Sequence, residues 1–166
     1  MDEDDVADLG PEEHVRVLSH RKAEAVFRTV DSGVVIGADT IVYYQGRILG
    51  KPADADNAFA MLRLLSGKTH QVYTGLTLAE TGGASLTDVV RTDVTFRELE
   101  PWEIQAYIET GGPMDKAGAY GIQERAGLFV SGIKGCYFNV VGFPLSRFIM
   151  MLKEIWHENE IAKWME

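Results

Sequence analysis

Residues 34–52 read VVIGADTIVYYQGRILGKP, and the rest of the chain can be arranged around that run. Val34, Val35 and Ile36 open an apolar segment that resumes at Ile41 and continues through Tyr44. Its β-branched and aromatic content predicts a mostly buried strand. Asp39 lies in the middle of it. A carboxylate there must be paired, metal-bound or catalytic, because burying a bare charge is costly. Tyr44-Gln45-Gly46-Arg47 supplies a turn and Arg47-Ile48-Leu49 a returning strand, so the unit reads as a β-hairpin. Gly50-Lys51-Pro52 follows, and the hairpin brings Lys51 back toward the level of Asp39. A structural ion pair and a functional constellation account for these two residues equally well.

Composition narrows the classes. A chain of 166 residues with 46% hydrophobic content is one domain with a sizeable core. No apolar run approaches the ~18 residues of a membrane helix, and the acidic start MDEDDVAD is unlike a signal peptide, so no membrane is expected and the cytoplasm is the expected compartment. A net charge of −9 argues against a nucleic-acid surface, which needs a basic field. A phosphorylated small molecule is still compatible, since a few lysines and a divalent cation build a positive pocket in an acidic protein. The single cysteine, Cys136, excludes an internal disulfide, and the absence of CxxC and HExxH argues against zinc.

Periodicity supplies the remaining elements. Gly10-Pro11-Glu12-Glu13 reads as a helix start, with a helix running to about 28–30. Val15, Leu18, Ala25 and Val26 form its expected apolar face, with Lys22 inside the stripe. Such a lysine either snorkels to solvent or delivers its amine beside Asp39. Asp54 caps a second helix carrying Ala58, Met61, Leu62 and Leu65, stopped at Gly67. Strands are predicted over 69–79 and 86–97, a short helix over 100–110, short strands over 128–130 and 137–141 around a connection at 131–135, and a last amphipathic helix over 145–156. The order predicts an α/β domain, a mixed β-sheet flanked by helices, spanning 1–156, with a charged tail over 157–166. Neither GxGxxG nor GxxxxGKS/T occurs, so no Rossmann domain or P-loop is indicated.

The stretch 113–123, PMDKAGAYGIQ, has neither helical nor strand period. It combines glycines with the adjacent Asp115 and Lys116, the make-up of a loop that lets backbone approach a ligand.

Taken together, IGADTIV (36–42), ILGKP (48–52), RLLSGKTHQVYTG (63–75), MDKAGAYGIQ (114–123) and YFNVVGFPL (137–145) resemble the Maf family, nucleoside triphosphate pyrophosphatases of the septum-formation-protein type. The resemblance runs over nearly the whole chain. It implies an inosine-triphosphatase-like fold and hydrolysis of a nucleoside triphosphate, with dTTP and UTP favoured, to monophosphate and pyrophosphate. It also implies Asp39 as the base or metal-linked activator of water, and Lys22 and Lys51 as catalytic or phosphate-binding. Lys116 and Gln123 would contact substrate, and Lys116 would add positive charge over the triphosphate. Glu3, with Asp2 as the alternative, Asp39 and Asp115 would ligate Mg²⁺ or Mn²⁺, ions that prefer oxygen donors.

One departure stands out. Family members carry an N-terminal buried strand and a Ser-x-Ser-Pro-Arg-Arg segment, and no such segment occurs in this sequence. Its absence predicts weak or absent turnover, and an apolar groove that would favour association, for instance as a homodimer, although the sequence does not give the oligomeric state. It also keeps a second reading open, a nucleotide-binding regulator of cell division or interaction module without catalysis. A third reading leaves Asp39 and Lys51 as a structural ion pair only.

Overall fold

The structure, a computed structural model, describes Val6 and residues 8–166. The hairpin forms as expected: β1 (Val34–Tyr44) returns as β2 (Arg47–Leu49) through Gln45 and Gly46, whose φ values of 47° and 81° are both left-handed. A two-residue turn with two positive φ angles matches the right-handed twist of the strands it joins. β3 (Thr69–Glu80) and β4 (Ser85–Phe96) form a second, longer hairpin, and β5 (Val130–Lys134) closes the sheet in the order β2-β1-β3-β4-β5. The α/β architecture is as predicted, but the four pairings among the described residues are all antiparallel, where a mixed sheet was expected.

Helix α1 (Pro11–Phe27) lies on one face of the sheet. Two glycines make its seat. A Cβ on Gly37 would stand 2.2 Å from the Ser19 carbonyl oxygen, and one on Gly75 would stand 2.1 Å from that of Val15. Only hydrogen side chains let a helix backbone settle so close to strands. The buried face of α1 is His14, Val15, Leu18, Ser19 and Ala23, whereas the expected Ala25 and Val26 are exposed.

The opposite face carries the larger cores. One gathers Val42, Val72, Val94 and Phe96 with α2 (Ala55–Leu65) and α3 (Pro101–Ile108). Another packs Leu76 and Leu78 against α5 (Leu145–Ile155) and Ile161 of α6 (Glu158–Met165), the helix held in the segment 157–166. Asp54 caps α2 by accepting the Asn57 backbone N–H at 2.7 Å, as predicted.

Two segments differ from the sequence reading. Tyr137–Val141 is a helix, α4, although its apolar residues suggested a strand. Asn139 decides this: its side-chain amide, fully buried, donates to the Val72 carbonyl and to Thr92 Oγ1, while its backbone carbonyl accepts from Thr74 Oγ1. Those tertiary bonds tie one short turn down on β3 and β4, and Gly142 ends it at φ 110°. The preceding strand begins where it was expected to end: β5 covers 130–134, most of the stretch read as a connection. It is an exposed edge held by backbone pairing to β4, with a bulge beside Thr95 and Phe96, so side-chain pattern carried little signal.

Candidate active site

β2 pairs only with Val42, Tyr43 and Tyr44, so among the described residues no strand covers the earlier half of that β1 edge. A cavity of about 1230 Å³ opens there. Its walls are the start of α1, the middle of β1, the end of β2, the 115–124 loop and the end of α4.

Asp39 reaches the cavity from β1 on the side that faces α1, since it shares the strand parity of Gly37 and lies opposite Gly75 in register. Lys22 reaches it from α1, with Nζ 2.5 Å from Asp39 Oδ1. The Asp39 side chain is 10% exposed and that of Lys22 40%. The lysine inside the apolar stripe thus does deliver its amine to the largely covered carboxylate. This pairing depends on the two glycines, because a side chain at Gly37 or Gly75 would lift the helix that carries Lys22.

Lys51 is not the partner of Asp39. β2 ends at Leu49, and the Gly50 carbonyl accepts the Gly118 N–H at 3.0 Å, so the chain leaves the ladder toward the 115–124 loop. Lys51 is exposed, lines the cavity, and makes no ion pair among the described residues. The reading of Asp39 and Lys51 as an ion pair is therefore corrected to Asp39 and Lys22.

Asp115 and Lys116 form the expected adjacent pair, Nζ to Oδ1 at 2.6 Å. The Lys116 hydrogen bond, with a smaller contribution from the Lys51 charge, holds the Asp115 carboxyl below its ordinary range. Lys116 is held above the ordinary lysine range by Asp115 and then by Glu124, whose Oε1 is 2.9 Å away. Gln123 is exposed on the cavity wall. Glu3 and Asp2 lie outside the described residues. Asp39, Lys51, Lys22, Lys116, Gln123 and Asp115 thus line one cavity although they come from four segments of sequence.

Two participants escaped the sequence reading. Glu124 follows the recognised YGIQ stretch and looks like ordinary surface charge until Lys116 is seen against it. His70 is fully buried, with Nε2 2.7 Å from the Oη of the cavity-lining Tyr120. Burial depresses His70 to about 4 and pushes the Tyr120 phenol up, so the two meet as neutral groups. The sequence offered only a histidine inside a strand.

Among the described residues, no three histidine, cysteine, aspartate or glutamate side chains converge as a metal cage. Asp39 and Asp115 nevertheless give the cavity hard oxygen donors. Mg²⁺ commonly takes one or two carboxylates and completes its shell with substrate phosphates and water, so this donor set fits such an ion.

The family model described as Maf-like protein matches residues 1–155. The chain is 54% identical over 145 residues to the dTTP/UTP pyrophosphatase of Geobacillus sp. (strain WCH70), covering 87% of this chain and 77% of that protein. It is 51% identical over 148 residues to the dTTP/UTP pyrophosphatase of Thermococcus gammatolerans, covering 89% and 78%. It is 47% identical over 155 residues to that of Pelotomaculum thermopropionicum, covering 93% and 81%.

Proposed function

The chain belongs to the Maf-like protein family, and on that basis we propose that it hydrolyses dTTP or UTP to the nucleoside monophosphate and pyrophosphate. The substrate class is supported by relatives at 47–54% identity that carry the name dTTP/UTP pyrophosphatase. The single observation that carries the chemistry is a carboxylate, Asp39, shielded from bulk solvent yet open to the cavity and held by one lysine.

In this reading the triphosphate lies along the lysine-bearing walls. Lys22, 40% exposed, can turn from Asp39 to a phosphate oxygen, and Lys51 has its ammonium available for another. Asp39 accepts a proton from a water whose oxygen attacks the α-phosphorus. The bond from that phosphorus to the bridging oxygen breaks, and pyrophosphate leaves with its charge opposed by the two lysines. General-base help of this kind contributes ~10²–10⁴-fold. Asp39 and Asp115 would hold Mg²⁺ or Mn²⁺ together with phosphate oxygens, and the ion would supply further positive charge to the triphosphate. Gln123 is assigned a neutral hydrogen-bonding role to the nucleotide.

The test is pyrophosphate release from a panel of nucleoside triphosphates with Mg²⁺ or Mn²⁺, for the chain and its Asp39→Asn variant. Release from dTTP or UTP that falls about a thousandfold in the variant is the expected result. Nucleotide binding with no release from any triphosphate would instead establish the non-catalytic reading.

A further inference from the structure

Lys116 lines the cavity together with Lys22 and Lys51, yet its hydrogen bonds are already used. An ammonium has three N–H donors and no acceptor. Lys116 Nζ stands 2.6 Å from Asp115 Oδ1, 2.9 Å from Glu124 Oε1 and 3.1 Å from the Gly112 carbonyl oxygen. Its stem crosses Gly121 so closely that a Cβ there would be 2.6 Å from Cε and 2.7 Å from Cδ. The side chain therefore runs across the loop and binds both of its ends, at 112 and 124.

That loop has little regular structure of its own beyond single 3-10 turns, and Ala119 sits at φ 62°, a strained value for a residue with a side chain. Its shape must come from outside ties. Gly118 N–H donates to the Gly50 carbonyl at 3.0 Å, next to Lys51, and Gly121 N–H donates to the Tyr107 hydroxyl at 3.3 Å. Displacing the loop would move Gln123 directly and Lys51 through the Gly50 contact.

We propose that Lys116 is a positioning residue, not a phosphate ligand: with Glu124 it staples the 112–124 loop and thereby sets Gln123 and Lys51 for the nucleotide. This rests on the proposed nucleotide chemistry for its purpose, but not for its geometry.

The two roles separate in the variants Lys116→Met, Glu124→Gln and their combination. A phosphate-binding Lys116 would gain from Glu124→Gln, because a competing carboxylate leaves its amine. A stapling Lys116 loses from either change, and the combination costs no more than Lys116→Met alone. Expected are about tenfold faster amide exchange across 112–124 and, through the displaced Lys51, a Kd for inorganic pyrophosphate weakened about threefold, each to a similar extent in both single variants and without further change in the double variant. If the parent releases pyrophosphate from dTTP, both single variants should slow it by a similar factor, about tenfold. Pyrophosphate binding weakened tenfold or more by Lys116→Met, with Glu124→Gln neutral or tighter, would overturn the proposal. So would unchanged exchange in both single variants. Because exchange and pyrophosphate binding need no turnover, a parent inactive on every triphosphate would remove the proposed enzymatic reading and leave this inference to be decided by those two measurements.

Discussion

The cavity is bordered by two lysine–carboxylate pairs that are built in opposite ways. In Lys22–Asp39 the carboxylate is hidden, at 10% exposure, and the amine is the open partner at 40%. In Lys116–Asp115 the amine is the covered partner, at 25%, and the carboxylate stands at 77%. The first pair joins two elements, a helix and a strand, with a single contact to the amine from Asp39. The second joins neighbours in sequence, and its amine has two more acceptors in the same loop. A pair of opposite charges offers a ligand whichever partner is less committed. In the proposed reading, one pair offers a cation to phosphate and the other an anion to a metal ion.

The contrast can be broken most severely at Asp39, where the thousandfold loss expected of Asp39→Asn should come with little change in thermal unfolding. Lys22→Met is the next largest. Removing a charge-stabilising donor lowers kcat/KM roughly a hundredfold, and the effect should exceed that of Lys116→Met when both are assayed on dTTP. The reverse order would show that the exposed amine is not the working one. Gly75→Ala reaches the first pair through packing. A Cβ 2.1 Å from the Val15 carbonyl oxygen must push α1 off the sheet, at a cost of about 2 kcal/mol in urea unfolding. It should leave amide exchange over 112–124 unchanged, since that loop is tied to Gly50 and Tyr107.

The smallest effect is in acid and belongs to the second region. His70 binds its proton with a pKa of about 4 when folded and 6.5 when unfolded. Between those values the unfolded chain holds the extra proton, so stability falls as pH falls through this window, by about 1 kcal/mol from pH 6.5 to 5.5. Urea midpoints across that range should show the slope, and His70→Gln, which keeps a hydrogen-bonding partner for Tyr120 without the titration, should flatten it.

How much of this was legible can be judged residue by residue. The β1–β2 hairpin, the α2 cap at Asp54 and the long β3 and β4 strands rest on local signals, turn chemistry, strand-forming residues and, in β4, alternation, and they form as expected. α4 does not, because four apolar and aromatic residues around Asn139 look like a strand unless one knows that Asn139 has buried partners on β3 and β4. β5 was displaced because an exposed edge strand takes its order from its neighbour's backbone and leaves no side-chain pattern. Asp39 announced itself by its setting, a charge inside an apolar run. Its partner did not, because hairpin logic pointed to Lys51 while the true contact crosses from a helix.

The sequence by itself determined which groups take part: one carboxylate inside a strand, a lysine inside an apolar helical face, and a glycine-rich charged loop, each conspicuous because it breaks a local rule. Tertiary structure alone decided which of them are committed to each other. Gly37 and Gly75 let α1 come close enough for Lys22 to meet Asp39, and the Gly50–Gly118 bond drew Lys51 away from it. Such choices turn on approaches of a few ångströms between segments distant in sequence, and a hydrogen bond or ion pair exists only within that range.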